Sequence, residues 1–124
     1  MSTNVKKWIW VTFDKIGFHR YPGASEDPSL EAVKYLASVH RHKFNFKVQI
    51  EVFHADRELE FHMFQTYCMS LFDTTLNVDH KSVEMISDDL YAELAVEYPG
   101  RDMVISVDED GECGCTIEYT TNCS

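Results

Sequence analysis

The sequence predicts an α+β domain: a four-stranded antiparallel sheet with two helices on one face, in the order strand, strand, helix, helix, strand, strand. Three observations carry this. Residues 44–52 alternate apolar and polar side chains with a period of two. After Arg57 the period changes to helical spacing, and it holds that spacing through two stretches that end at Pro99-Gly100. Beyond that point two short β-rich runs flank an acidic turn containing a glycine.

From Trp8 to Phe18 the chain is rich in aromatic and β-branched residues and reads as the first strand, closed by a loop holding Pro22, Gly23 and Pro28. The second strand is the clearest element. Phe44, Phe46, Val48, Ile50 and Val52 alternate with Asn45, Lys47, Gln49, Glu51 and Phe53, so one face is core and the other meets water or a partner. Phe61, Phe64, Cys68, Leu71 and Phe72 then describe one amphipathic helix. Ser82 is a good N-cap for a second helix, with Glu84 in its first turn and Val83, Ile86, Leu90 and Leu94 as its apolar stripe. Met103–Val107 and Thr116–Thr120 read as the last two strands, with Asp108-Glu109-Asp110-Gly111-Glu112 as the hairpin turn between them.

A chain of 124 residues suits one domain, residues 1–124, with enough length to bury a real core. Its 44% hydrophobic and 26% charged residues are ordinary for a globular fold. There is no apolar run long enough to cross a bilayer and no charged-then-apolar leader, so the expectation is a cytoplasmic protein with no membrane partner. The formal charge of −10 argues against nucleic acid, which requires a basic face to release its counterions. Without a secretion signal, the four cysteines Cys68, Cys113, Cys115 and Cys123 are expected to be reduced thiols. Cys113-Gly114-Cys115 is tighter than the two-residue spacing of ordinary zinc motifs, although Cys123 could join one of the pair.

The chemistry-bearing residues gather around the first loop. His40 and His42 open the second strand two residues apart, which puts both on one face, about 7 Å apart along the strand. His19 ends the neighbouring strand. A third imidazole there completes a three-histidine metal site whose fourth position is open to substrate or water, the mark of a catalytic or ligand-binding metal rather than a structural one. Ordinary strand-end histidines are the alternative reading. Arg20, Arg41, Lys43 and Lys47 cluster near the same histidines and read either as a pocket for an anionic small molecule or as solvated strand-edge charge. His54, His62 and His80 lie at polar element ends.

These residues resemble the 6-pyruvoyl-tetrahydropterin synthase and 6-carboxy-tetrahydropterin synthase family. His19, followed by Val39-His40-Arg41-His42 opening an alternating strand, is similar to that family's histidine and later H-G-H, with Arg41 in the glycine place. The likeness runs on through Glu60-Phe61, Leu76-Asn77, Ser82-Val83-Glu84 and Val107-Asp108-Glu109 to Cys113-Gly114-Cys115, and covers about residues 8–119.

The resemblance implies the tunnelling fold, a zinc ion on His19, His40 and His42, and a homo-oligomer with ligand sites at subunit interfaces. It also implies that Glu109 grips the 2-amino pyrimidine edge of a pterin- or purine-like ligand. An ionised carboxylate accepts two hydrogen bonds at once and suits such an edge; by itself, Glu109 also reads as a solvated hairpin acid. Arg20 and Arg41 are the further candidates for ligand binding.

Two departures separate the chain from the family. The reactive cysteine expected a few residues before the paired histidines is absent from Tyr35-Leu36-Ala37-Ser38, and the Asp-His pair before Leu-Asn reads Asp73-Thr74-Thr75. Asp73 and His80 are the remaining candidates for acid-base work, with Cys68 as a further suspect. Proton transfer at carbon needs a poised acid and base. Two functions follow as expectations: a binding protein that keeps the pocket, including for a purine-like signalling nucleotide, and an active zinc-dependent carbon-oxygen lyase of the tetrahydropterin synthase type.

Overall fold

The computed structural model describes residues 3–19, 21–37, 40–72, 75–79 and 81–121; of residues 19, 36, 40 and 75–79 the backbone alone is described. The fold is α+β. Strands β1 (Lys7–His19) and β2 (His40–Val52) pair antiparallel along their whole length, from Lys7 opposite Val52 to His19 opposite His40. Strand β4 (Met103–Glu109) pairs antiparallel with β2, and β5 (Cys113–Tyr119) with β4. These four make the antiparallel sheet that the patterning predicts. Helices α1 (Phe61–Ser70) and α2 (Val83–Glu97) follow β2 in order.

The alternation in β2 decides which face the helices cover. Phe44, Phe46, Val48, Ile50 and Val52 all point into the core, together with Val11 and Phe13 of β1 and Met103, Ile105 and Val107 of β4. Phe64 and Cys68 of α1 and Ile86, Leu90 and Leu94 of α2 close over them, so both helices lie on one face of the sheet. Burying each such aliphatic or aromatic side chain contributes about 1.5–3 kcal/mol. Phe13 stacks on Phe46 with ring centroids 4.8 Å apart and planes 8° from parallel, which ties β1 to β2 in the middle of the core. The other sheet face carries Trp10, which is 55% exposed, with the Lys47 ammonium 4.7 Å over its ring.

Both helices start where the sequence marks them. The Glu60 carboxylate accepts the Met63 N–H at 2.7 Å, and Ser82 Oγ accepts the Met85 N–H at 3.2 Å. Tyr98 caps α2 just before Pro99. Phe61, expected on the buried stripe, sits in the first turn of α1 and is 58% exposed.

The structure adds a fifth strand that periodicity did not predict. Strand β3 (Thr75–Asp79) pairs parallel with the end of β1, giving the sheet order β3-β1-β2-β4-β5. Its five residues do alternate polar and apolar, but so short a run is a weak signal. The loop around Pro22 and Pro28 is also more regular than expected, with 3-10 turns over Pro22–Ser25 and Pro28–Ala37, the second broken by non-helical backbone at Leu30 and Val33.

The hairpin turn is tighter than expected as well. Asp108 and Glu109 belong to β4 and Cys113-Gly114-Cys115 to β5. Gly114 permits this: a Cβ there would lie 2.2 Å from the Val107 carbonyl oxygen and 2.5 Å from Asp108 Cα, so the strands close only over a bare backbone. The glycine between the two cysteines thus has a packing reason.

Candidate metal and ligand site

The end of the β1–β2 ladder brings the histidine positions together. His19 is the direct cross-strand partner of His40, and His42 stands opposite Gly17. Directly opposed residues of an antiparallel pair share a face, and so do residues two apart on one strand. The three positions therefore lie on the face that carries Phe44, and Gly17 places no side chain opposite His42. On the β3 side the register of β1 shifts between Phe18 and His19, an irregularity that falls at one of the three histidines.

His42 is the member whose side chain is described. Its ring lies edge-on to Phe44 at a centroid distance of 6.0 Å. Its Nδ1 is 2.5 Å from Asp110 Oδ2, and its Nε2 is 3.6 Å from Glu109 Oε2. The side chains of His42 and Glu109 are similarly sheltered, 20% and 23% exposed. Glu109 reaches this place because it ends β4 opposite Phe44, on the same face. The sequence-predicted metal ligand and ligand anchor are thus neighbours in space, 67 residues apart in the chain.

Asp110 is the residue that sequence reasoning missed. It reads as one more acid of the turn, but its backbone is left-handed, with φ at 59°, and Gly111 follows at 73°. Aspartate tolerates that region better than most residues. The turn closes with the Glu112 N–H donating to the Glu109 carbonyl at 3.1 Å. Asp110 is thereby folded back onto β2. Its N–H donates to the Lys43 carbonyl at 2.7 Å, its Oδ1 accepts the Lys43 N–H at 2.8 Å, and its Oδ2 meets His42. The Lys43 N–H foremost, and His42 with it, hold the Asp110 carboxyl below the usual aspartate range. The Asp-Gly dipeptide one residue past β4 was the available signal.

The remaining candidates separate. Arg41 lies in β2 between His40 and His42, on the opposite face by alternation, and is exposed; its charge still reaches Asp110. Lys43 and Lys47 share that opposite face, and Lys43 is 3.8 Å from Asp14. Arg20, Asp73, Thr74 and His80 lie outside the described residues, as does Cys123. His54 is exposed and pairs with Glu58 at 3.8 Å, and His62 is exposed on α1.

Cys68 is poorly placed for a proton relay. It is fully buried between α1 and the sheet, and that burial pushes its thiol up to about 12. Cys113 and Cys115 are free thiols.

Among the described residues no three His, Cys, Asp or Glu side chains form a metal-binding group; His42 and Glu109 are the described part of the predicted site, and the side chains of His19 and His40 lie outside the description. The donor chemistry that is described suits zinc. A ligating histidine ordinarily has a carboxylate at its second ring nitrogen, and His42 Nδ1 lies 2.5 Å from the Asp110 carboxylate. Also among the described residues, no helix is long and apolar enough to cross a membrane. No protein-family model matches the chain, and no curated protein is similar to it at a significant level.

Proposed function

We propose that this protein binds a pterin- or purine-like ligand, including nucleotides of that kind, beside a zinc ion held by His19, His40 and His42. In this reading Glu109 grips the amino-pyrimidine edge, and the ligand is held rather than transformed. The observation that carries it is the shared face of the three histidine positions, with the Glu109 carboxylate 3.6 Å from His42 Nε2. A carboxylate at that distance can accept two N–H groups of a heterocycle whose oxygen side turns toward the metal. When bound, zinc supplies a Lewis acid toward a ligand oxygen.

The reasons for binding over turnover lie in the chain itself. No thiol precedes the paired histidines, Thr74 stands where the family has a histidine, and Cys68 is sealed in the core. Proton transfer at carbon then lacks its acid and base. The second reading, a zinc-dependent carbon-oxygen lyase of the tetrahydropterin synthase type, rests on the retained histidine trio.

The tunnelling fold and a homo-oligomer belong to the same proposal. Among the described residues, the side of β1 away from β2, from Lys7 to Lys15, and the outer side of β5 carry no neighbouring strand, and such edges call for cover. The deciding experiment is elemental analysis of purified protein together with mass spectrometry of any small molecule that purifies with it. Zinc with a pterin or purine compound supports the proposal; metal-free, ligand-free protein that takes up neither contradicts it.

A further inference from the structure

We propose that Asp110 is the positioning residue of the metal site: it fixes His42 as the tautomer that carries its proton on Nδ1, so that Nε2 keeps the lone pair that binds the ion. This rests on the metal reading above and adds to it a residue that no histidine pattern would indicate.

Each oxygen of Asp110 has one polar partner. Oδ1 takes the Lys43 backbone N–H at 2.8 Å, and Oδ2 lies 2.5 Å from His42 Nδ1. A carboxylate ionised at neutral pH has no proton to give, so in that contact the ring nitrogen is the donor. A neutral imidazole has only one N–H. With it on Nδ1, the nitrogen directed toward Glu109 is the one able to ligate. Orientation is fixed along with the tautomer. Asp110 is locked to Lys43 by its own N–H and its carboxylate, and Lys43 adjoins His42 in β2, so ring and carboxylate are held from the same stretch of backbone. The left-handed φ of 59° at Asp110 is what turns the side chain back across the strand end.

The test uses Asp110→Asn and Asp110→Gly, both compatible with a left-handed backbone. Asparagine keeps the shape, but it has one acceptor for two donors, so either Lys43 N–H or His42 Nδ1–H loses its partner. Zinc affinity is measured by chelator competition in wild type and both variants, with circular dichroism to follow the fold. The His42 tautomer in metal-free protein is read from long-range 15N–1H NMR.

The expected result is an Nδ1–H tautomer in wild type, and in Asp110→Gly loss of that preference with zinc binding weaker by about 10–100-fold; Asp110→Asn lies between the two, according to which donor its amide oxygen keeps. Wild-type affinity in folded Asp110→Gly, or an Nε2–H tautomer in wild type, overturns the proposal while leaving the three-histidine site standing. Wild type that binds no zinc removes the site itself, and the positioning role with it. That outcome is visible without any variant, so the two failures are distinct.

Discussion

His19 and His40 form the last rung of the β1–β2 ladder, opposite each other, while His42 faces Gly17 two residues further along β2. The trio shares a face only in this register, because a slip of one residue sends a strand's side chains to the other side. The register is set at a distance from the site, where Val11, Phe13, Phe46 and Val48 meet in the core. Folding energetics and site assembly are therefore one problem in this chain.

Gly114 is the first place to test that link. Gly114→Ala puts a methyl group against the backbone of Val107 and Asp108, which has no soft side chain to yield. We expect a loss of about 1–3 kcal/mol in urea unfolding, the usual range for overpacking. Glu109 lies beside this contact, so ligand affinity falls as well. Wild-type stability in the variant would show that the hairpin has more slack than its geometry indicates.

Acid stability follows from Asp102. The Lys6 ammonium foremost, and then the Thr121 N–H at 2.8 Å, hold its carboxyl below the usual value. A folded-state value below the unfolded one gives stability that is complete above about pH 4 and is lost as the pH falls through the folded value. Asp102→Asn is expected to be less stable than wild type at pH 7 and to lose less on going from pH 5 to pH 3. Parallel loss in the two proteins, measured by urea unfolding at each pH, would contradict this.

Much of this was legible in the sequence, and the gaps have physical reasons. The second strand and the start of the second helix follow from a long alternation and from Ser82 as a cap, signals that depend on neighbouring residues, while the Glu60 cap of α1 was seen only in the structure. Strand β3 was missed although Thr75-Leu76-Asn77-Val78-Asp79 alternates polar and apolar residues, because so short a run is a weak signal and its partner lies on distant β1. Asp108 and Glu109 read as turn because acidic runs usually are, while the structure extends the ladder past them over Gly114. Of the site, the shared face of His40 and His42 follows from spacing alone. The approach of Asp110 to His42 depends on a left-handed turn, which the composition allowed and did not specify.

Glu109→Gln tests the ligand anchor. The amide replaces one acceptor by a donor facing the donors of a guanidine-like edge, which costs about 1–3 kcal/mol, or roughly 5–150-fold in affinity. Calorimetry with a pterin or guanine-type compound reads it, using zinc-loaded protein. Unchanged affinity returns Glu109 to the role of a hairpin acid.

Turnover separates binding from catalysis. Dihydroneopterin triphosphate, the usual substrate of the family this chain resembles, is expected to be converted negligibly by zinc-loaded protein. Loss of a positioned acid or base costs about 10²–10⁴-fold, and two are missing from the places where the resemblance would put them. Chromatography of the reaction across neutral pH is the check. Robust turnover would assign the relay to a residue outside the described ones, His80 first, and would replace the binding reading by the enzymatic one.

The most direct test of the central claim is metal content. Protein purified without chelators and equilibrated with zinc is measured by elemental analysis, beside His40→Ala and His42→Ala variants whose fold is checked by circular dichroism. Three histidines with one open position predict about one zinc per chain in wild type and nearly complete loss in each variant, since a three-ligand site stripped of one ligand keeps little affinity. Wild type that never holds stoichiometric metal at neutral pH, or a folded His42→Ala that retains it, would contradict the three-histidine site.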